Sequence, residues 1–260
     1  MNSEVSYANQ SAPQADPPPI PQGFFNRLIG VYFSPSEAFK EIGLAPTVLA
    51  PLLVLALASA IGAWVMVERV GVEKFTSPGV EKALADGQIS QEQADQRLEQ
   101  MRQFAPYIKA SFPAIGFVMS IIMVLALAGV AKLVSMMFGV ENEFKPLMAV
   151  TAYSLLAVGL LGMVVMTIVL YLKPVEEIDI TNLVGSNAAA LIGMAGVKLP
   201  KFVQFLLAYV DVFYIWKVIL LGIGGAAVSK RVKTSTGITY AAMVGVVFAI
   251  LGAAWGAIFG

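Results

Sequence analysis

Residues 202–228, FVQFLLAYVDVFYIWKVILLGIGGAAV, form an apolar run long enough to cross about 30 Å of hydrocarbon as a helix, yet the run carries Asp211 and Lys217. A membrane span tolerates charge badly, so this stretch constrains the fold more than any other. At about 100° per residue its surface divides into two faces. Phe202, Phe205, Tyr209, Phe213 and Trp216 make an aromatic stripe, and Gln204, Asp211, Ile215, Gly222 and Ser229 collect opposite it. In hydrocarbon, small residues that let backbones approach and polar groups seeking partners mark the side that faces other helices. The Asp211–Gly222 face is therefore expected to turn into a helix bundle, with the aromatic stripe toward lipid or a looser neighbour.

On one helix Asp211 and Lys217 lie about 9 Å apart along the axis and about 120° apart around it, so they cannot form an i,i+4 pair. Each needs its own solution, since a charge at a helix centre costs about 2.5–3.5 kcal/mol on insertion scales. Snorkelling or contact with Phe213 suffices for Lys217. Asp211 must lie near the membrane surface, stay neutral, or accept hydrogen bonds from another span.

Composition agrees. Hydrophobic residues are 58%, charged residues 13%, and mean hydropathy is +0.77. A soluble domain sits nearer 45–50% apolar and about 25% charged. Basic and acidic residues balance at 17 each, which gives no footprint for nucleic acid. With no Cys and no His, disulfides, thiol nucleophiles, the usual zinc or haem sites and histidine acid–base chemistry are excluded. The remaining carboxylates, Lys, Ser, Thr and Tyr form no tight constellation. Neither an enzyme nor a cofactor is expected.

Along the chain, residues 1–22 hold Pro13, Pro17, Pro18, Pro19 and Pro21 among polar residues and read as a disordered tail. The membrane domain then covers 23–260. Phe24, Phe25, Leu28, Ile29 and Tyr32 follow helical spacing in a segment too short to span. Ser34-Pro35-Ser36-Glu37 has the pattern of a capping box, with Pro35 in the first helical position and Glu37 reaching back. Phe39 lies on the apolar side of the helix that follows. This piece is expected either in the membrane interface or as a cap packed on the bundle's end.

Five spans follow at about 47–67, 110–131, 147–172, 204–228 and 238–259. The third offers Tyr153, Ser154, Gly159 and Gly162 for close packing, and the fifth carries Gly252 and Gly256 at GxxxG spacing. Between the first two spans lies a polar insert, 68–109, expected as a helical hairpin. Ser77-Pro78-Gly79 starts its first helix, Asp86-Gly87 breaks it, and a second capping box at Ser90–Gln93 starts another that runs to Pro106. The small apolar run at 188–196 is expected as a short interfacial helix. Lys230, Arg231 and Lys233 form a basic link without acids, which places that link and the N-terminus inside.

Three segments together resemble the bacterial branch of the Yip-one domain family: Tyr32-Phe33-Ser34-Pro35-Ser36-Glu37-Ala38-Phe39, Ala152-Tyr153-Ser154-Leu155, and Asp211-Val212-Phe213-Tyr214-Ile215-Trp216. The resemblance covers about residues 24–260. It implies an all-α integral membrane domain of five helices with a cytoplasmic N-terminus, in the inner membrane of a prokaryote. Eukaryotic members are associated with Rab GTPases and vesicle traffic, but the short tail and charged insert here depart from that kind. The expected role is a non-enzymatic membrane scaffold or adaptor. Its partners would be lipids and other membrane proteins or a second copy of itself, with no nucleic acid. The alternative is a small transporter or ion pathway that uses Asp211 and Lys217.

Overall fold

The structure is a computed structural model that describes residues 22–259 apart from Glu141, Asp179, Thr181, Asn182, Lys198 and Lys230. The Pro-rich tail lies almost wholly outside the described residues. Ten α-helices follow in order among them: α1 (Phe24–Phe33), α2 (Pro35–Leu44), α3 (Leu49–Val70), α4 (Glu73–Ala85), α5 (Gln91–Met137), α6 (Phe144–Leu172), α7 (Ala188–Met194), α8 (Lys201–Ala208), α9 (Val212–Ala227) and α10 (Thr234–Phe259). Four of them, α3, α5, α6 and α10, are long and apolar enough to cross a membrane. Helices suit this solvent because each satisfies its own backbone hydrogen bonds.

The fourth expected span, 204–228, is not one helix. It ends as α8 at Ala208 and restarts as α9 at Val212. The break has a local cause. Asp211 takes an extended conformation, and its carboxylate accepts the amides of Phe213 at 2.8 Å and Tyr214 at 3.0 Å. A short acidic side chain that caps the next helix competes with continuation of the previous one. At 16 residues α9 is about 24 Å long, short of the roughly 30 Å hydrocarbon core.

The insert also differs from a separate hairpin. Its first helix starts at Glu73, four residues before Ser77, and carries Pro78 inside it. Ser90 and Gln93 do form the capping box: Gln93 N donates to Ser90 Oγ at 3.3 Å, and Ser90 N donates to Gln93 Oε1 at 2.9 Å. That helix does not stop at Pro106. It runs 47 residues, through Pro106 and Pro113, into the second apolar run. Each proline removes only one backbone donor, and packing holds the helix on either side. Gly116 lies so near α3 that an added Cβ would stand 2.8 Å from the Ser59 carbonyl oxygen.

Helix α6 is the central element, with Ala149, Ala152, Tyr153, Ser154, Leu156 and Ala157 fully buried. Helices α1 and α2 close over this core, placing Val31, Phe39 and Ile42 out of contact with solvent or lipid. Ser34 is the only residue between them. It occupies the N-cap position of α2 without making the side-chain bond of a capping box, and Glu37 makes no return bond. Backbone contacts hold the turn instead. Ser34 N donates to Gly30 O at 2.7 Å, and Ser34 O accepts Glu37 N at 3.1 Å and Ala38 N at 3.0 Å.

Candidate functional site

Helices α8 and α9 lie together along α10, and small residues set the fit. A Cβ on Gly222 would come within 2.5 Å of Ile238 Cα and 2.8 Å of its amide nitrogen, so the two backbones touch there. Gly245 receives Val218, and the Tyr214 hydroxyl donates to the Gly245 carbonyl at 2.7 Å. Farther along, Gly252 and Gly256 do not admit a helix backbone. They seat the Tyr209 and Phe205 rings of the α8 segment, four residues apart on each partner. The break at Asp211 is therefore level with the interior of α10, between Gly245 and Gly252.

A cavity of about 470 Å³ opens between α5, α6, α9 and α10, within the roughly 300–1,000 Å³ of single-ligand pockets. Its deep wall is α6, through the buried Leu147, Val150 and Thr151. One end is bounded by Phe138 and Tyr240, whose rings stack at 4.1 Å with their planes within 8°. Lys217 is the one basic residue on its lining among the described residues. The ammonium lies 4.3 Å from the centre of the Tyr214 ring, a cation–π contact in place of the expected Phe213. Among the described residues it makes no hydrogen bond and no ion pair. Tyr209 packs edge-on against the same Tyr214 ring at 5.2 Å and also lines the cavity.

Asp211 and Lys217 form no ion pair among the described residues, and the carboxylate acts on the ammonium only at longer range. Both carboxylate oxygens of Asp211 are engaged, one by the two α9 amides and the other by the Ser186 hydroxyl. The neighbouring backbone joins in, as Ala188 N donates to Val210 O at 3.0 Å and Asn187 N-caps α7. The two-faced reading of 202–228 fails accordingly. Gln204 and Ile215 are exposed while Gly222 is buried; Gln204 belongs to a separate helix, and Ile215 and Gly222 share a side of α9 that is covered only toward its C-terminal end, where α10 meets it. Nor does the whole aromatic stripe turn outward: Phe213 and Trp216 pack on the core, with Trp216 5.7 Å from the Tyr32 ring. Of the N-terminal candidates, Phe39 is a core side chain, Pro35 is half-buried, and Ser34 and Glu37 lie at the surface.

A second polar cluster escaped the sequence reading. Arg27 is 3% exposed and binds Glu41 Oε1 at 3.2 Å, the Ala45 carbonyl at 2.7 Å and Thr47 Oγ at 3.2 Å. Thr47 in turn shares a hydrogen bond with the Tyr153 hydroxyl at 3.3 Å, and Gln22 N donates to Glu41 at 2.6 Å. The signal was an arginine between Phe24 and Leu28 on the apolar side of a helix too short to span.

These features define an all-helical integral membrane protein in which α9 and the end of α8 line a partly open cavity. The description of the Yip1 domain matches residues 29–256, and the chain belongs to that family. No curated protein and no solved structure matches it.

Proposed function

We propose that this protein is a non-enzymatic scaffold or adaptor in the inner membrane of a prokaryote, with its N-terminus cytoplasmic. On this reading α8 and α9 together make the fourth of five crossings. Their combined helical length is about 36 Å, enough for the hydrocarbon core. The observation that carries the reading is the locked N-terminal pair. Arg27, Glu41, Thr47 and Tyr153 tie α1 and α2 to the bundle, while Phe25, Ile29 and Phe33 stand outward on α1 at 73%, 54% and 83% exposure. Their i, i+4, i+8 spacing makes one stripe. A rigid mount that holds an apolar stripe at the entry to the first span suits the docking of lipid and of another membrane protein.

The transporter alternative draws support from the break in α8–α9, since discontinuous helices form the substrate sites of many transporters. The full engagement of Asp211 as a cap favours the structural role.

The two readings separate in proteoliposomes and in cells. The scaffold reading expects ion flux no faster than in empty vesicles. It also expects F25S/I29S to fold normally and lose the cross-linked membrane complexes formed by the unaltered chain. Flux that disappears in Asp211→Asn overturns it. Single cysteines at Gln10 and Gln88, in a chain with no native Cys, should label from opposite sides.

A further inference from the structure

The cavity between α5, α6, α9 and α10 combines apolar walls with a cation that has no ion pair among the described residues, and that combination selects a ligand. Buried ammonium groups are expensive in hydrocarbon unless paired, yet among the described residues Lys217 makes no hydrogen bond and no ion pair, with the Tyr214 ring face against it and the Asp211 carboxylate at longer range. Asp211 directs both carboxylate oxygens to the α9 amides and Ser186, leaving neither in an ion pair with Lys217. Tyr209 supplies a second donor against the same Tyr214 ring, and its hydroxyl makes no hydrogen bond among the described residues. At the other end of the lining, Asn142 Oδ1 is a buried acceptor without a donor among them. Apart from these groups the lining is largely aliphatic and aromatic, including Leu127, Val134, Leu221 and Phe248.

We propose that this cavity binds a single-chain amphiphilic monoanion of the long-chain carboxylate type. The carboxylate meets the Lys217 ammonium and the Tyr209 hydroxyl, and the chain lies along the apolar walls toward the Phe138–Tyr240 stack. One ammonium and one hydroxyl make a small donor set, which fits a carboxylate better than a phosphate monoester that needs several donors. A charge-assisted contact in a low-dielectric site strengthens accordingly. The proposal is independent of the scaffold reading, since it concerns a different face of the molecule.

The test uses the full chain purified in a nonionic detergent. Hexadecanoate, hexadecanol, hexadecyltrimethylammonium and phosphatidylglycerol are each titrated while the melting temperature and retention of labelled hexadecanoate are followed. Hexadecanoate should raise the melting temperature saturably, and the neutral and cationic chains should bind at least about tenfold more weakly. Lys217→Gln should weaken hexadecanoate by about tenfold or more and Tyr209→Phe by about threefold, with ligand-free melting unchanged. Gly225→Leu provides a steric control. A Cβ at Gly225 meets nothing within 4 Å, and the residue lines the cavity, so the larger side chain should fill it and block binding without disturbing helix packing. Equal binding of hexadecanol overturns the proposal, as does unchanged affinity in Lys217→Gln. Displacement of hexadecanoate by phosphatidylglycerol at lower concentration shows a two-chain lipid site and overturns it too. Should Lys217→Gln fail to fold, the comparison of carboxylate with alcohol on the unaltered chain decides alone.

Discussion

Arg27 and Lys217 are both cations set among apolar side chains, and they are accommodated in opposite ways. Arg27 sits where α1, α2 and the start of α3 converge, so its planar fork reaches a carboxylate, a carbonyl and a hydroxyl at once. Lys217 projects from α9 into a cavity with its ammonium against the face of a tyrosine ring and no ion pair among the described residues. Arginine's several fixed donors suit a permanent structural node, and lysine's single flexible ammonium suits a site that is filled by something else. The N-terminal pair is thus tied by a buried polar node, whereas the broken-helix region adds close backbone approach at glycine to the Asp211 cap and the Tyr214–Gly245 bond.

The largest expected effect falls on the satisfied cation. Arg27→Met leaves Glu41 without its ion pair and should lower stability by about 3 kcal/mol, read as thermal melting in detergent. A loss no greater than that of Lys217→Gln would erase the contrast between the two regions. Next comes the glycine contact. Gly222→Ala drives a methyl group into the Ile238 backbone and should cost about 1–3 kcal/mol. Gly162→Ala, where a Cβ meets nothing within 4 Å, should stay within about 0.5 kcal/mol in the same assay. Smallest is the cap. Asp211→Ala should cost about 0.5–2 kcal/mol, and Asp211→Asn should keep most of it, since the amide oxygen still accepts from Phe213 and Tyr214. Equal melting of Asn and Ala variants would show that the carboxylate's charge, rather than its capping geometry, matters.

How much of this was legible depended on whether the controlling physics was local. The apolar runs were readable because hydrocarbon sets a minimum length and admits few charges, which is why α3, α5, α6 and α10 fall on them. The capping box at Ser90 was readable because its partners are three residues apart. Asp211 was readable in principle: an aspartate just before a helical run is an N-cap signal, but the reading of the whole stretch as one amphipathic helix averaged over it. Pro106 looked like a stop, yet packing on both sides overrode the local preference. Gly252 and Gly256 had the right spacing for close contact, but only the folded chain shows that two rings occupy it. The Arg27 node and the cavity were out of reach, because each joins segments that are distant in sequence.

Helix α5 carries one more consequence. It is about 70 Å long, more than twice the hydrocarbon thickness, so a large part of it stands outside the membrane. Its two prolines, Pro106 and Pro113, are seven residues apart and lie within about 20° of the same side of the rod. Bending concentrates where a backbone hydrogen bond is missing, so both soft points yield in nearly the same plane. Against that softness the stretch is braced on one side by the Phe75–Phe112 ring contact at 5.0 Å and the Glu68–Lys109 ion pair at 2.7 Å, and the helix stays continuous through both prolines. The same helix supplies Met123 and Leu127 to the cavity wall. One continuous rod thus joins the polar outer arm to the cavity wall, and the braces sit at the two points where it is weakest.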